Sequence, residues 1–466
     1  MGLRLEEETF PDRVVFAGLG TRLRGAFRHV VHAGARRCPL NILMCTNTFT
    51  PHVGGVARSV ERFATEFRRQ GHRVLIVAPL FENTPVHESD VVRFPAVQHF
   101  NGSDFSVPVP VPRRLASALK QFQPDIVHSH HPFLLGDTAL RVAAVRGVPL
   151  VFTHHTLYEL YTHYVPGDSP RLKRFVVEFV SGYCNLCDAV IAPSESIQQL
   201  LRKRGARVPI EVIPTGLDPI FFAQVDTADA RTAMRIPVEA FVVGHVGRLA
   251  PEKNLAFLAE ALTRFLLTNE DAHFLLAGEG PAKTSMLEKL YSAGLESRIR
   301  FLGVLGREEL VKAYRAMDVF AFASKSETQG MVLTEAMAAQ VPVVALDATG
   351  VREVVRDGMN GRLLQTEQPE SFVEALSWIA SLDPRTYRGL AEAAGETAKQ
   401  FSMPVVAGRA LDLYRALAGR TASEKEIEQS RWTRARRMIR EEWRIVRNIA
   451  RAATGAVLTR PLKTDS

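Results

Sequence analysis

Residues 318–340 read DVFAFASKSETQGMVLTEAMAAQ. Asp318 to Ala323 has the length and apolar character of a buried parallel strand, and Val332 to Ala339 is rich in helix formers. Glu327 then falls in the loop at the strand's carboxyl end and Glu335 in the first turns of the helix, with seven residues between them. Open α/β sheets bind ligands at that end of their strands, and free amides near Gly330 and Met331 at the helix start favour a phosphate. On this stretch alone, two solvated glutamates are the plain alternative.

Working outward, the same rhythm of strand, loop and helix fills both flanks. Upstream it runs AFVVGHVGR (strand), NLAFLAEALTRFL (helix), AHFLLAG (strand), KTSMLEKLYSAG (helix), RIRFLG (strand) and REELVKAYRAM (helix). A separate series begins at Asn41 with NILMCTN as a strand, TFTPHVGG as a loop, VARSVERFATEFRRQ as a helix and HRVLIVAP as the next strand, a βαβ unit. Further strands are predicted at Asp125 to His128, Pro149 to Thr153 and Asp188 to Ala192. The fold expected is α/β, with two successive doubly wound parallel sheets and a cleft between them. The series meet near residues 217–240, giving domains over 41–225 and 226–400. Residues 401–420 are read as a helix packing back on the body, 421–466 as a basic amphipathic tail and 1–40 as an extension.

Composition narrows the function classes. Hydrophobic residues at 46% and charged residues at 23% are ordinary for a soluble globular protein. The net charge of +8 sits at the ends: residues 431–466 hold ten Lys/Arg against three Asp/Glu, and residues 1–40 hold seven against four, which leaves 8 − 7 − 3 = −2 for the body. No general nucleic-acid surface is indicated. The start, MGLRLEEETF, is too acidic for a secretory signal, no apolar run approaches the roughly 18 residues of a membrane span, and four cysteines fit a reducing compartment. The expectation is a cytoplasmic protein.

Each candidate chemical group falls at a predicted strand end. Arg248 and Lys253 follow FVVGHVG beside a helix start and suit a diphosphate, Arg as a fork and Lys as a point charge. Gly278 and Gly280 around Glu279 allow close backbone approach, as do Gly54 and Gly55, although the latter lack the GK[ST] ending of a P-loop. Histidines gather at 128, 130, 131, 154, 155 and 163; a metal cluster is conceivable, but HSHH on one loop cannot place three rings on one ion. There is no DxD sequence either, so no metal is expected. Cys184 and Cys187 read as buried filler rather than a redox pair.

Together these residues resemble the retaining nucleotide-sugar glycosyltransferases of family 4, which have the GT-B fold of two facing Rossmann-like domains. The matches are the GGV loop (Gly54, Gly55, Val56), IPTGLD (213–218), VGRLAPEKN (246–254), LLAGEGP (275–281) and the seven-spaced glutamates followed by EAMAAQVPVVA, spanning about residues 41–417. The resemblance implies that Arg248 and Lys253 bind the donor's pyrophosphate, Glu327 holds sugar hydroxyls and Glu335 the ribose. Amides of Gly330, Met331, Val332, Gly54 and Gly55 would complete the phosphate cradle, and His155 would sit beside the reacting sugar. It also implies a UDP- or GDP-hexose donor, no bound metal or cofactor, and no enzyme nucleophile.

HHTLYELYTHYVP (154–166) and SPRLKRFVVEFVSGYC (169–184) look like the subgroup that glycosylates 1,2-diacylglycerol at the cytosolic membrane face. Tyr158, Tyr164, Arg171, Lys173 and Arg174 are the acceptor or membrane candidates there; an ordinary domain helix with a basic end is the alternative. In the tail, Trp432, Ala435, Ile439, Trp443, Val446, Ala450, Ala453 and Val457 recur every three or four residues opposite a basic face, which suits an anionic bilayer surface or packing onto the body. The function expected is transfer of a hexose from a nucleotide diphosphate sugar to a membrane lipid by a peripheral enzyme on the inner face of the cell membrane. Phosphatidylinositol, a polyprenyl-linked saccharide or a soluble sugar remain alternative acceptors, and an inactive lipid-binding scaffold is the alternative class.

Overall fold

A computed structural model of the chain describes residues 38–52, 54–97, 107–108, 112–160, 162, 169–325, 327–425 and 431–458. The expected extension over 1–40 lies outside these but for its last three residues, and Leu40–Ser466 form one compact unit. The strands of its first half are β1 (Asn41–Cys45), β2 (Arg73–Pro79), β3 (Val91–Phe94), a small ribbon of β4 (Ala96–Val97) and β5 (Val107–Pro108), then β6 (Ile126–Ser129), β7 (Leu150–Thr153), β8 (Ala189–Ala192) and β9 (Ile210–Val212). Between them run helices α1 (Gly55–Arg69), α2 (Pro112–Gln121), α3 (Leu135–Arg146), α4 (Pro170–Cys184) and α5 (Glu195–Lys203). The main sheet is parallel, in the order β3-β2-β1-β6-β7-β8-β9.

After α6 (Thr227–Met234) the second half repeats the plan. Its strands are β10 (Phe241–Val246), β11 (Ala272–Ala277), β12 (Ile299–Gly303), β13 (Val319–Phe322), β14 (Val343–Leu346) and β15 (Gly361–Leu364). Helices α7 (Leu255–Thr268), α8 (Lys283–Tyr291), α9 (Arg307–Arg315), α10 (Met331–Ala338), α11 (Pro369–Ala380) and α12 (Pro384–Lys399) cover it. The order is β12-β11-β10-β13-β14-β15, again parallel. The central strands carry continuous apolar runs because helices cover both faces; β13 is buried at every residue. In each sheet the strand order reverses beside the first strand of its half, at β1/β6 and β10/β13, and a crevice for ligand opens at such a switch point.

The chain then returns to the first half. Helix α13 (Met403–Lys425) buries Met403, Val406, Ala407, Ala410, Leu411, Tyr414 and Leu417, spaced by three and four, in the same core cluster as Phe63 and Phe67 of α1. This helix runs five residues beyond the expected end at 420. Helix α14 (Arg431–Leu458) packs on α3 and α4 of the first half rather than trailing as a tail. Among the described residues no helix is long and apolar enough to cross a membrane.

Tyr414 ties the returning helix to the sheet. It is fully buried, and its hydroxyl lies 2.6 Å from His128 Nδ1 on β6, whose Nε2 lies 2.7 Å from the Thr153 hydroxyl on β7. Tyr414→Phe leaves that ring nitrogen unpartnered in the core and is expected to cost about 1–3 kcal/mol. The check is a lowered urea midpoint at unchanged slope; an unaltered midpoint would contradict it.

Candidate active site

A cavity of about 330 Å³ opens where the carboxyl ends of the two sheets meet. Gly55, Val56, His155, Thr156, Pro193 and Thr215 line it from the first half. The second half supplies His245–Arg248, Lys253, Phe322 and Glu327–Val332. Two helix amino termini reach this wall, one from each half. Gly54 at the start of α1 and Gly330 at the start of α10 offer no side-chain cap, so first-turn amides of both helices lack the usual side-chain partner. With the helix dipoles behind them, these amides make the wall attractive to an anion. Gly330 also holds φ +69°, in the left-handed region that favours glycine.

Lys253 and Glu327 form an ion pair within the wall, both largely buried, and Arg248 is exposed at its rim. The site therefore holds two cations and one carboxylate beside two positive helix ends. That balance suits an anionic ligand carrying hydroxyl groups, with the carboxylate as hydroxyl acceptor.

Several expected residues stand elsewhere. Glu335 is not among the lining residues. It is 3% exposed, lies 3.6 Å from the guanidinium of Arg62 on α1, and accepts a 3.1 Å hydrogen bond from the Tyr314 hydroxyl. Burial pushes its carboxyl up, and Arg62 and Tyr314 work against that shift. Gly278 and Gly280 approach protein backbone rather than the cavity. A Cβ on Gly278 would lie 1.8 Å from the Gly247 carbonyl and one on Gly280 2.3 Å from the Leu249 carbonyl, so the turn supports the backbone that carries Arg248. Glu279 between them pairs with Lys283 at 3.0 Å. Gly54 lies one residue outside the wall, with Gly55 in it.

The histidine group divides. His128 is held by Tyr414 and Thr153, and His131 Nδ1 accepts from the Asn47 amide at 3.0 Å. His155 is in the cavity wall, with Nε2 2.9 Å from His130 Nδ1, one ring donating to the other. Burial and neighbouring histidines hold both well below the ordinary histidine range. Among the described residues no three His, Cys, Asp or Glu side chains are grouped to hold a metal ion. Cys184 and Cys187 are free and buried, and burial pushes the Cys184 thiol up to about 12.

The contacts that join the halves are not among those expected from the sequence. Gln329 donates to the Thr215 carbonyl at 3.0 Å and accepts from its amide. Ser194 donates to the Thr328 carbonyl at 2.8 Å, and Arg62 of the first half pairs with Glu335 of the second. Such long-range pairings leave no periodic signal. His245 did leave one, a lone polar residue in the apolar run FVVGHVG. Its Nδ1 lies 2.9 Å from the Ala321 carbonyl and must donate to it, so Nε2 of the neutral ring is left as an acceptor in the cavity wall.

Of the expected acceptor or membrane residues, Tyr158 packs edge-on against Phe133 and His154 at 5.3 and 6.2 Å between centroids. Arg171 and Lys173 are exposed on the first turn of α4 and Arg174 is half-buried. Tyr164 and the side chain of Trp432 lie outside the described residues.

The model of the family described as Glycosyltransferase Family 4 matches residues 53–221, and that described as Glycosyl transferases group 1 matches residues 240–381. The chain is 28% identical over 380 residues to the alpha-monoglucosyldiacylglycerol synthase of Streptococcus pneumoniae, covering 79% of this chain and 86% of that protein. It is 30% identical over 395 residues to the GDP-mannose-dependent alpha-mannosyltransferase of Mycolicibacterium smegmatis, covering 82% and 98%. Among solved structures, HepE of Anabaena in complex with UDP and glucose superposes with a TM-score of 0.63 at 22% identity, covering 81% of this chain and all of that one.

The buried histidines fix a pH dependence. Burial lowers His128 and His131 to about 3, and His154 and His245 to about 4. The unfolded chain takes up these protons below about pH 6.5 while the folded chain does not. Their contribution to stability is thus complete above about 6.5 and is lost as the pH falls toward 4, at up to about 1.4 kcal/mol per pH unit for each ring. Thermal midpoints measured across that range are expected to drop steeply; a flat profile would contradict the neutral, buried assignment.

Proposed function

The chain belongs to glycosyltransferase family 4, and from that membership we propose that it moves a hexose from a nucleotide diphosphate sugar to a membrane lipid, 1,2-diacylglycerol, with retention of anomeric configuration. The observation that carries the donor half of this reading is the convergence of two uncapped helix amino termini, Arg248 and Lys253 on one cavity. A pyrophosphate fits that charge, with Arg248 as its fork and Lys253 as its point charge. Glu327 takes sugar hydroxyls, and the amides of Gly55, Val56, Met331 and Val332 complete the cradle. Glu335 binds the ribose in this reading only by exchanging Arg62 or Tyr314 for it; with those partners kept, it positions α10 instead.

In the transfer, the bond between the anomeric carbon and the leaving phosphate oxygen breaks with its electron pair going to the phosphate. The acceptor hydroxyl oxygen bonds to the same face of that carbon, and its proton passes to the departing phosphate. Fixed positive charge aimed at that phosphate lowers the barrier without reorganising during the step. His155, neutral and held by His130, contacts the reacting sugar as a hydrogen-bonding group.

The lipid acceptor is supported by the likeness to an alpha-monoglucosyldiacylglycerol synthase, while the mannosyltransferase relative supports the same chemistry with GDP-mannose as donor. A lipid acceptor makes the enzyme peripheral on the cytoplasmic face of the membrane. The test is incubation with a panel of nucleotide sugars and mixed lipids, with products identified by mass. A hexosylated diacylglycerol is expected, and a soluble glycoside as sole product would overturn the acceptor. Lys253→Ala is expected to lower turnover about a hundredfold or more while a chelator changes nothing. A near-normal rate in the variant would refute the donor site, and loss of activity on chelation would refute metal independence.

A further inference from the structure

Helix α14 presents three faces. At 3.6 residues per turn, Glu441, Ile445, Asn448, Ala452 and Ala456 fall on one stripe, and all five are buried. This stripe docks the helix. Asn448 donates to the Phe179 carbonyl of α4 at 3.1 Å, in a gap kept open by Gly182, where a Cβ would lie 1.5 Å from the Asn448 side chain. Arg444 donates to the Leu186 carbonyl at 3.2 Å, and Glu442 at the edge pairs with Arg141 of α3 at 2.6 Å.

The stripe expected from the sequence to be apolar is a different one, and it faces away from α3 and α4. Ile439 is 61% exposed, Trp443 71% and Val446 55%, in line one turn apart. One exposed apolar residue is ordinary, but an aligned row beside a stripe that already serves for packing is not. Arg440, Arg447 and Arg451 form the third face, exposed along one flank of that row.

We propose that this outer face of α14 is a docking surface for an anionic lipid bilayer, with Trp443 as the interfacial anchor and Arg440, Arg447 and Arg451 against the headgroups. Aromatic and aliphatic side chains flanked by guanidinium groups match the boundary between acyl chains and anionic headgroups, with the helix lying in the plane of the surface. The row of like charges disfavours a second copy of the same face. The helix it docks on, α4, also contacts the short 3-10 turn Tyr158–Leu160, which begins three residues after His155 of the cavity wall. The inference rests on the lipid-acceptor reading for its purpose, though its physical test does not.

The experiment is co-sedimentation of the full chain with equimolar phosphatidylglycerol–phosphatidylcholine vesicles and with pure phosphatidylcholine vesicles, alongside turnover on detergent-dispersed diacylglycerol. The double variant Trp443→Glu, Val446→Glu is expected to lower vesicle affinity at least about tenfold. Replacing Arg440, Arg447 and Arg451 by glutamine should reduce binding to the anionic vesicles toward the level on neutral ones, as raised salt does. Both variants should keep their rate in detergent, since neither touches the cavity. Variants that sediment like the parent, or a parent that does not bind anionic vesicles, would overturn the docking face. So would a parent that dimerises through Trp443 with vesicle binding unchanged. Binding through this face without glycolipid product in detergent would contradict the acceptor reading and leave the docking face standing.

Discussion

The contact between Arg62 and Glu335 links the two helices on which the site depends. Arg62 belongs to α1 and Glu335 to α10, both are almost wholly buried, and their charged ends are 3.6 Å apart. Ions taken out of water at a cost of several kcal/mol each must be met by partners of good geometry. Arg62 also reaches the Gly216 carbonyl and Glu335 the Tyr314 hydroxyl, which supplies part of that need. Because the pair joins one half to the other, it fixes where the amino termini of α1 and α10 stand relative to each other. Those two ends, with Arg248 and Lys253, create the positive wall of the cavity.

Much of the plan could be read from the residues because parallel strands covered on both faces leave continuous apolar runs. DVFAFA and FVVGHVG became β13 and β10, and their carboxyl ends carry Glu327 and Arg248 into one cavity. What could not be read was the direction of groups whose partners are remote in sequence. Spacing set Glu335 on α10 but could not show that a guanidinium over 270 residues earlier would hold it. Gly278 and Gly280 signalled close approach correctly, yet the neighbour is the backbone around Arg248. The tail shows the same limit: its apolar period was plain, but a different stripe of Glu441, Ile445, Asn448, Ala452 and Ala456 does the packing, and Gly182 lets α4 and the tail helix come close.

On the proposed reading, fixed charge rather than a divalent ion meets the departing phosphate. A nucleotide diphosphate that loses its sugar gains negative charge on the phosphate at the moment of bond breaking. Lys253, paired with Glu327, and the helix ends are held by the scaffold before that moment, so they need not reorganise to meet it. The ion pair of Lys253 with Glu327 keeps the lysine in the cavity wall, and its partial burial limits screening by solvent.

On the proposed reading, the donor's diphosphate lies between the two helix ends. A crystal structure with a bound nucleoside diphosphate tests it most directly, because phosphorus positions are independent of any assay of turnover. The account predicts the β-phosphate within hydrogen-bonding distance of Arg248, Lys253 and the first-turn amides of α10. A diphosphate seated away from these groups, with Lys253 still paired only to Glu327, would contradict it.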